Sequence, residues 1–466
     1  SSYTCLKYMI APPPTLVPMN IRKPAPRRKA APAGLPAVAA PWEPEQRAAA
    51  AGAAGTNAGA ERALTADAPR CSVLARELMD ANESPSQRTV DILRDLVAFP
   101  TTSERSNLEL INYVEGLRRP LGAKLERTYD DSGEKANLLA TLGPNEGSGL
   151  ILSGHTDVVP VEGQSWQGDP WDLREEGQTL QGRGACDMKG FLACMLALAE
   201  RVDLNALSGP LYLAFSYDEE RGLRGVRRLI EAFADSGAEA NLCVVGEPTE
   251  MQVGVGHKSI LQGTCIVTGS EAHSSLEPHA ANALYGAARL LTHLEDTERT
   301  REAHGPSDPG YSVPHSTVQA AVVEAGVALN IVPREARFGF EFRCIPSEDA
   351  RDLLEEAREY GKREVLPRLA ERAEAADIEW RVDSEGPGLE MRPDHEAVQR
   401  VMAAAEVQQT VRLPYATEAG LFHGAGIPTV VCGPGSIEQA HRPDEYVALG
   451  QLGRCERFLT RLLGSD

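Results

Sequence analysis

Residues 150–157 have the sequence Leu150-Ile151-Leu152-Ser153-Gly154-His155-Thr156-Asp157, in which a short apolar run ends just before a histidine and an aspartate. Such a run, bounded by polar residues and glycine, predicts a buried strand of an α/β sheet. A histidine at the end of this strand can bind a metal ion through one ring nitrogen, while Asp157 holds the other N–H and sets the tautomer. Ordinary hydrogen bonds satisfy many histidines in this position, so the segment predicts a metal site only if further ligands join it.

Four other segments combine an apolar strand or a helix start with metal-binding side chains. They contain Asp187 in a glycine-rich loop that opens a helix, Glu219 and Glu220 after the predicted strand 211–215, Glu247 after the predicted strand 242–245, and His441 near the C-terminus. In open α/β sheets, ligands bind outside the carboxyl ends of the strands. Two histidines and four carboxylates at such positions form a ligand set of nitrogen and oxygen atoms that suits zinc, cobalt or manganese.

Each segment also has a structural interpretation. Acidic residues ahead of a helix, as in residues 218–220, commonly complement the helix dipole. The loop 182–190 resembles a phosphate cradle in its glycine content, but it lacks the GxxxxGK[ST] spacing. The five segments together favour a metal site.

Strands and helices alternate from about residue 86, which predicts a mostly parallel or mixed sheet covered on both faces. After His257 the pattern changes to the order βαββαβ of a small α+β domain. We therefore divide the chain into a catalytic domain in two parts, residues 85–257 and 385–466, and an inserted domain, residues 258–384. Residues 1–84 are rich in Ala and Pro and are predicted to be disordered. A transit peptide and an over-long gene start are the alternatives for this segment.

The composition excludes several classes of protein. The net charge is −20, and no basic stripe with interleaved aromatic residues points to a nucleic acid partner. The sequence has no apolar run long enough for a transmembrane helix. Its nine cysteines are odd in number and scattered without a CxxC pair, which favours reduced thiols in a cytoplasmic enzyme.

Over about residues 86–466 the motifs resemble the two-metal metallopeptidases that include deacetylases, desuccinylases and glutamate carboxypeptidases. Residues 215–220 and 432–441 look most like the acetylornithine deacetylases among them. The resemblance implies a discontinuous zinc-peptidase-like α/β catalytic domain with a central mixed sheet and an inserted α+β (ferredoxin-like) domain that acts as a lid and in dimerisation. It also implies hydrolysis of the acetyl amide of N2-acetyl-L-ornithine, a small N-acetylated amino acid, by a homodimer.

The resemblance also assigns roles to the residues of the five segments. It implies two divalent metal ions, Zn²⁺ or Co²⁺, with Asp187 as the bridge between them. One ion would be held by His155, Asp187 and Glu247, and the other by Asp187, Glu220 and His441. Glu219 would be the general base, Asp157 would support His155, and the peptide bond after Asp187 would be cis.

The inserted domain and the C-terminal segments carry further candidates. His273 resembles the lid histidine that polarises the substrate carbonyl from a neighbouring subunit; a surface histidine is the alternative. Asn330 and Arg343 match substrate-binding positions, and a guanidinium suits an α-carboxylate, although Arg343 also fits a structural ion pair. Gly433 could present a backbone N–H to the substrate. Glu418 is a candidate to bind the cationic side chain of ornithine, with an exposed loop carboxylate as the alternative.

Two other functions stay open at this point. The metal motifs are shared by desuccinylases, aminoacylases and dipeptidases, so only the residues that bind the substrate distinguish the deacetylase. The alternative from a different functional class is a non-catalytic binding protein with the same fold. It would be expected to lack the base or a ligand, whereas every such position carries a competent side chain.

Overall fold

A computed structural model describes residues 84–464. The segment 1–84, for which we predict disorder, therefore lies outside the described residues apart from Ser84. The strands are β1 (Lys124–Tyr129), β2 (Ala136–Leu142), β3 (Gly149–His155), β4 (Arg174–Glu176), β5 (Thr179–Gln181), β6 (Leu211–Ser216), β7 (Ala240–Pro248), β8 (Val253–His257), β9 (Ile260–Thr268), β10 (Thr317–Ala325), β11 (Glu335–Arg343), β12 (Asp377–Gly386), β13 (Leu389–Glu390), β14 (Thr410–Leu413), β15 (Thr429–Gly433) and β16 (Tyr446–Ala448). The α-helices are α1 (Gln87–Val97), α2 (Leu108–Arg118), α3 (Gly190–Ala199), α4 (Arg224–Asp235), α5 (Ala283–His304), α6 (Ala350–Tyr360), α7 (Leu366–Ala370), α8 (Glu396–Ala405), α9 (Ala419–Gly424) and α10 (Leu449–Leu462).

The larger sheet is mixed, as the sequence predicts. Its strand order is β1-β2-β6-β3-β7-β15-β8-β13, and β14 also pairs with β8. The central strands β6, β3, β7 and β15 run parallel to one another, while β2 pairs antiparallel with both β1 and β6. Every residue of β3, β6 and α3 is buried, as expected for strands and a helix that are apolar on all sides.

A separate four-stranded antiparallel sheet forms from residues 260–386, in the order β10-β11-β9-β12. Along the chain its elements follow the order β9, α5, β10, β11, α6 and β12, which is the predicted βαββαβ pattern. A second apolar core around Phe338 and Leu290 joins this sheet to its helices. The chain leaves the larger sheet after His257 and returns to it at Leu389. This α+β unit is therefore an insertion, as the fold class predicts.

A third, small sheet has the order β16-β5-β4. Tyr446 lies opposite Gln181 in it, so the loop before β16 lies next to the loop after β5. These two loops carry His441 and Asp187. The small sheet therefore brings together two candidate metal ligands that are distant in sequence.

No helix among residues 84–464 is long and apolar enough to cross a membrane. The cysteines within this range are all buried free thiols.

Candidate metal centre

Three parallel strands bring most of the candidate ligands to one edge of the larger sheet. His155 is the last residue of β3, and β6 and β7 flank this strand in parallel. Glu219 and Glu220 follow the end of β6, and Glu247 is the penultimate residue of β7. Parallel neighbours end at the same edge of a sheet, so these side chains converge there.

Asp187 lies between the two histidines. It belongs to the irregular helical segment Ala185–Lys189 that precedes α3, and the Asp187–Met188 peptide bond is cis, as the resemblance implies. Its Oδ1 atom is 3.0 Å from Nε2 of His155, and its Oδ2 atom is 3.4 Å from Nε2 of His441. One carboxylate thus presents a separate oxygen to each histidine, which is the arrangement expected of a bridging ligand.

The remaining carboxylates complete the cluster. Oε1 of Glu220 is 3.0 Å from Nε2 of His441, and Oε1 of Glu247 is 3.7 Å from Nε2 of His155. The ligand atoms of His155, Asp187 and Glu220 all lie within 4.8 Å of one another, and so do those of His155, Glu219 and Glu247. The structure therefore brings together all six predicted metal and base residues.

The pKa values of these groups reflect crowded negative charge in a buried position. Burial raises the pKa of Glu219 and of Glu247 well above the usual range. Burial also raises the pKa of Asp187, but hydrogen bonds and charge interactions with His155 and His441 together outweigh this effect, so the pKa lies below its usual range. Hydrogen bonds with Asp187 and Glu220 raise the pKa of His441 to about 10. The carboxylates thus require nearby positive charge to ionise together.

A pair of divalent cations fits this donor set. Oε1 of Glu247 is buried and has no hydrogen-bond partner among residues 84–464, although it lies against His155 and Glu219. Buried polar atoms rarely stay without a partner, and carboxylate oxygens with imidazole nitrogens are the usual ligands of zinc and related ions. The residues present therefore match a two-metal site.

The sequence comparison agrees with this geometry. Residues 151–465 match the family described as Peptidase family M20/M25/M40, which covers more than half of the chain. This chain belongs to that family. As a member of this family, the protein is a metal-dependent hydrolase.

Among its relatives is an acetylornithine deacetylase from Myxococcus xanthus, 37% identical over 380 residues, which are 79% of this chain and 95% of the relative. A second acetylornithine deacetylase, from Proteus mirabilis, is 33% identical over 385 residues, or 80% of this chain and 95% of that protein. The fold resembles the crystal structure of a Bacillus subtilis protein described as a dinuclear metal-binding peptidase of the M20 family. That match has a TM-score of 0.58 and 16% identity, and covers 81% of this chain and 96% of the other.

In this M20 family member, Asp157 supports the site differently from the prediction. The backbone carbonyl of Asp157, and not its carboxylate, accepts the Nδ1–H of His155 at 2.9 Å. This bond fixes the orientation of the ring and directs Nε2 of His155 toward the proposed metal site. The carboxylate, whose nearer oxygen is 3.8 Å from Nδ1, accepts instead from the backbone N–H groups of Glu219 and Glu220 at 3.1 and 3.3 Å, and from the Ser103 hydroxyl at 2.7 Å.

His273 and Asn330 lie together on the inserted domain of this family member. The exposed His273 precedes the short 3₁₀ helix Ser274–His279, and its Nδ1 accepts from the backbone N–H of Ser275 at 3.3 Å. The carbonyl of Asn330 accepts from the N–H of Ser274 at 2.9 Å. No hydrogen bond or ion pair within residues 84–464 joins His273 to the metal cluster.

Arg343 forms an ion pair, which is the structural role that we gave as the alternative to substrate binding. Its Nε donates to Glu341 at 2.7 Å, and both residues lie on β11. The Arg343 side chain remains 31% exposed, so the pairing with Glu341 leaves part of it accessible.

The predicted use of the Gly433 backbone is wrong. Its N–H donates to Oγ1 of Thr249 at 3.2 Å, and the N–H of Gly435 in the same turn donates to Gln451 at 3.3 Å. A side chain at residue 433 would lie 2.0 Å from the carbonyl oxygen of Gly246. Glycine at this position thus permits close packing of the ends of β15 and β7 and leaves no N–H for a substrate.

Both interpretations of Glu418 are also wrong. The residue is fully buried, so it is not an exposed loop carboxylate. Its two oxygens accept from the hydroxyls of Ser153 at 2.5 Å and Ser216 at 2.8 Å. Glu418 therefore lies below the edge of the sheet that carries the ligands, where a substrate side chain cannot contact it.

Two residues that contact the site escaped the sequence analysis. Ser103 holds the Asp157 carboxylate, and Glu445 accepts from the backbone N–H of Asp187 at 3.0 Å. Most of the ligands are predicted from their positions after apolar strands. Neither Ser103 nor Glu445 follows such a strand, so this pattern does not identify them. The position of Glu445 four residues after His441 was the one local signal.

Proposed function

We propose that this chain hydrolyses the acetyl amide of N2-acetyl-L-ornithine to L-ornithine and acetate. The observation that carries the chemistry is the position of Asp187, whose two oxygens face His155 and His441 separately. The choice of substrate is supported by the identity of 37% to the acetylornithine deacetylase of Myxococcus xanthus over nearly its whole length.

We assign His155, Asp187 and Glu247 to one divalent ion and Asp187, Glu220 and His441 to the other, with Zn²⁺ or Co²⁺ as the ions. When bound, such a pair lowers the pKa of a water and polarises an acyl carbonyl. The burial of His155, Asp187 and Glu247 and the unpartnered Oε1 of Glu247 support this assignment.

Glu219 is the proposed proton carrier. Its side chain lies in the same cluster as His155 and Glu247, and its backbone N–H is held by Asp157. In the reaction its carboxylate takes a proton from the attacking water and returns it to the α-amine as the amide bond breaks. The adjacent Glu220 bonds to His441 instead, so the two neighbouring glutamates have separate roles.

The inserted domain supplies the proposed contacts to the substrate. Arg343 would bind the α-carboxylate with the part of its guanidinium that Glu341 leaves accessible, and Asn330 would bind beside it. His273 would donate its Nε2–H to the acyl oxygen, because Nδ1 already accepts from Ser275.

We propose that His273 acts in the active site of the other subunit of a homodimer. Within residues 84–464, β10 is an edge strand of the inserted sheet. Val322 and Val323 on this strand are exposed, as are Val327 and Leu329 just beyond it. An apolar edge of this kind favours pairing with a second chain.

The experiment that tests the function is ornithine release from N-acetylornithine by purified protein loaded with zinc or cobalt, with succinyl-diaminopimelate as the parallel substrate. Turnover of the acetyl compound alone, abolished by a chelator, is the expected result. Turnover of the succinyl compound alone would support the proposed metal chemistry but refute N-acetylornithine as the substrate. Inactivity on both substrates would favour a binding protein.

A further inference from the structure

The carboxylate of Glu445 is a buried acceptor for four donors, three of which are backbone N–H groups. Oε1 accepts from the N–H groups of Cys186 at 2.9 Å and Asp187 at 3.0 Å. Oε2 accepts from the N–H of Gly184 at 3.0 Å and from Nη1 of Arg183 at 2.7 Å. The side chains of Arg183 and Glu445 are each 1% exposed, so this ion pair is fully removed from water.

The donors all belong to one segment, residues 183–187, whose backbone is irregular. Gly184 is in the left-handed region with φ of +80°, and Asp187 has non-helical φ and ψ inside the turn that precedes α3. Regular helical bonds therefore do not satisfy the N–H groups of this turn. Glu445 satisfies three of them with one side chain, and so fixes the path of the backbone up to the bridging aspartate.

The same contacts join this turn to the loop that carries His441. Glu445 lies four residues after His441, and Arg183 also donates to the carbonyl of Arg442 at 3.3 Å. Gln164 links the two from the other side, since it accepts from Arg183 and donates to the carbonyl of His441 at 2.9 Å. His441 and Asp444 have φ of +61° and +54°, values that non-glycine residues adopt only when their surroundings hold them.

We infer that Glu445 is a positioning residue that sets the distance between the metal ligands Asp187 and His441, an inference that rests on the proposed two-metal site. Its carboxylate holds the Asp187 turn through three N–H groups, while its own backbone continues the His441 loop into β16. Without this acceptor, three buried N–H donors lose their partner and the Arg183 cation loses its only carboxylate contact among residues 84–464. The turn must then rearrange, and the two ligands no longer face each other at the observed spacing.

The test is the zinc affinity of the metal-free full-length chain, measured by competition with a chromophoric chelator, for the wild type and for Glu445→Gln. An amide has one acceptor oxygen. It can therefore accept either from the two donors that Oε1 now holds or from the two that Oε2 now holds, but not from both. The expected result is a loss of about 10- to 100-fold in affinity for at least one ion. The kcat should fall in parallel, with KM near the wild-type value.

Glu456 offers a matched control. It is also a buried carboxylate with several donors, since it accepts from the N–H and hydroxyl of Ser86 at 3.1 and 2.6 Å, from Thr89, and from Arg201 at 3.2 Å. These contacts join α10 to the start of α1 and to Arg201 just after α3, and they involve no proposed ligand. Glu456→Gln should lower the Tm of the metal-free protein as Glu445→Gln does, but leave the zinc affinity unchanged.

Equal zinc affinity of wild type and Glu445→Gln would overturn the inference, and so would an equal loss in both variants. If Glu445→Gln does not fold, Glu445→Asp decides. It keeps the charge opposite Arg183, but its shorter side chain cannot reach all four donors, so a folded Asp variant with wild-type zinc affinity would likewise overturn it. A wild-type chain that binds no zinc would instead refute the two-metal site itself.

Discussion

The backbone N–H of Glu219 donates a 3.1 Å hydrogen bond to Oδ1 of Asp157, and the next N–H, of Glu220, donates to Oδ2 of the same carboxylate at 3.3 Å. Asp157 thus holds the chain at the point where the proposed base and a proposed ligand diverge. Asp218, just before them, has φ of +52°, so this turn adopts a conformation that a non-glycine residue needs external contacts to maintain. The carboxylate of Asp157 supplies these contacts from the end of β3.

Asp157→Ala should therefore reduce kcat by about 10- to 100-fold, since it removes the acceptor that orients Glu219. The KM should change little, because no substrate contact is lost, and both metal ions should remain bound. Steady-state kinetics on N-acetylornithine, together with metal analysis after dialysis, provide the measurement. Asp130→Ala is the control, because Asp130 also accepts from a backbone N–H, that of Lys135, but in an exposed turn. A kcat near that of wild type would refute the role of Asp157.

Glu219→Gln tests the proposed base directly. We expect kcat to fall by about 10²- to 10⁴-fold, the usual contribution of a general acid–base group, with two metal ions retained. Asp218→Asn is the neighbouring control. The Asp218 carboxylate bonds to Lys135 at 2.5 Å and has no part in the proton transfer. If the Gln variant keeps near-normal turnover with both ions bound, another group carries the proton.

The ligands other than His441 could be predicted from the local sequence because each follows an apolar strand or lies at a helix start, whereas His441 is identified from the resemblance of residues 432–441. The supporting contacts could not be predicted. Whether the carboxylate or the carbonyl of Asp157 reaches His155 depends on the turn after β3. The sequence predicts an exposed loop carboxylate at Glu418, yet this residue is buried and bonds to Ser153 and Ser216 from two strands distant in sequence. Glu445 acquires its contacts only when β16 pairs with β5.

Three of the strands carry only weak signals in the local sequence, each for a physical reason. β8 contains Gly254 and Gly256 within five residues, and glycine weakens the strand pattern. β10 is exposed along most of its length, so it lacks the alternation of apolar and polar residues that marks a half-buried strand. β14 has four residues, and only one of them is buried.

His273→Ala should lower kcat by about 10²- to 10³-fold, the cost of removing one donor to a developing oxyanion, in a protein that remains folded. If His273 acts across subunits, mixing His273→Ala with Glu219→Gln chains should restore activity. In a mixed dimer, one of the two sites would combine an intact Glu219 with an intact His273. Activity that stays at the level of the two parents, in samples shown to contain mixed dimers, would mean that His273 acts within its own chain or not at all.

Arg343→Lys separates substrate binding from a structural ion pair. A lysine can still pair with Glu341 across the 2.7 Å contact seen for Arg343, so the inserted sheet should remain stable. It cannot bind a carboxylate with two parallel N–H groups, so the KM for N-acetylornithine should rise by about tenfold, equivalent to about 1.4 kcal/mol, at nearly unchanged kcat. Gln262→Ala is the control, because Gln262 also donates to Glu341, at 2.6 Å. This variant should affect Tm without raising KM. An Arg343→Lys enzyme with wild-type KM and a lowered Tm would identify Arg343 as a structural residue, and the α-carboxylate would then require a different partner.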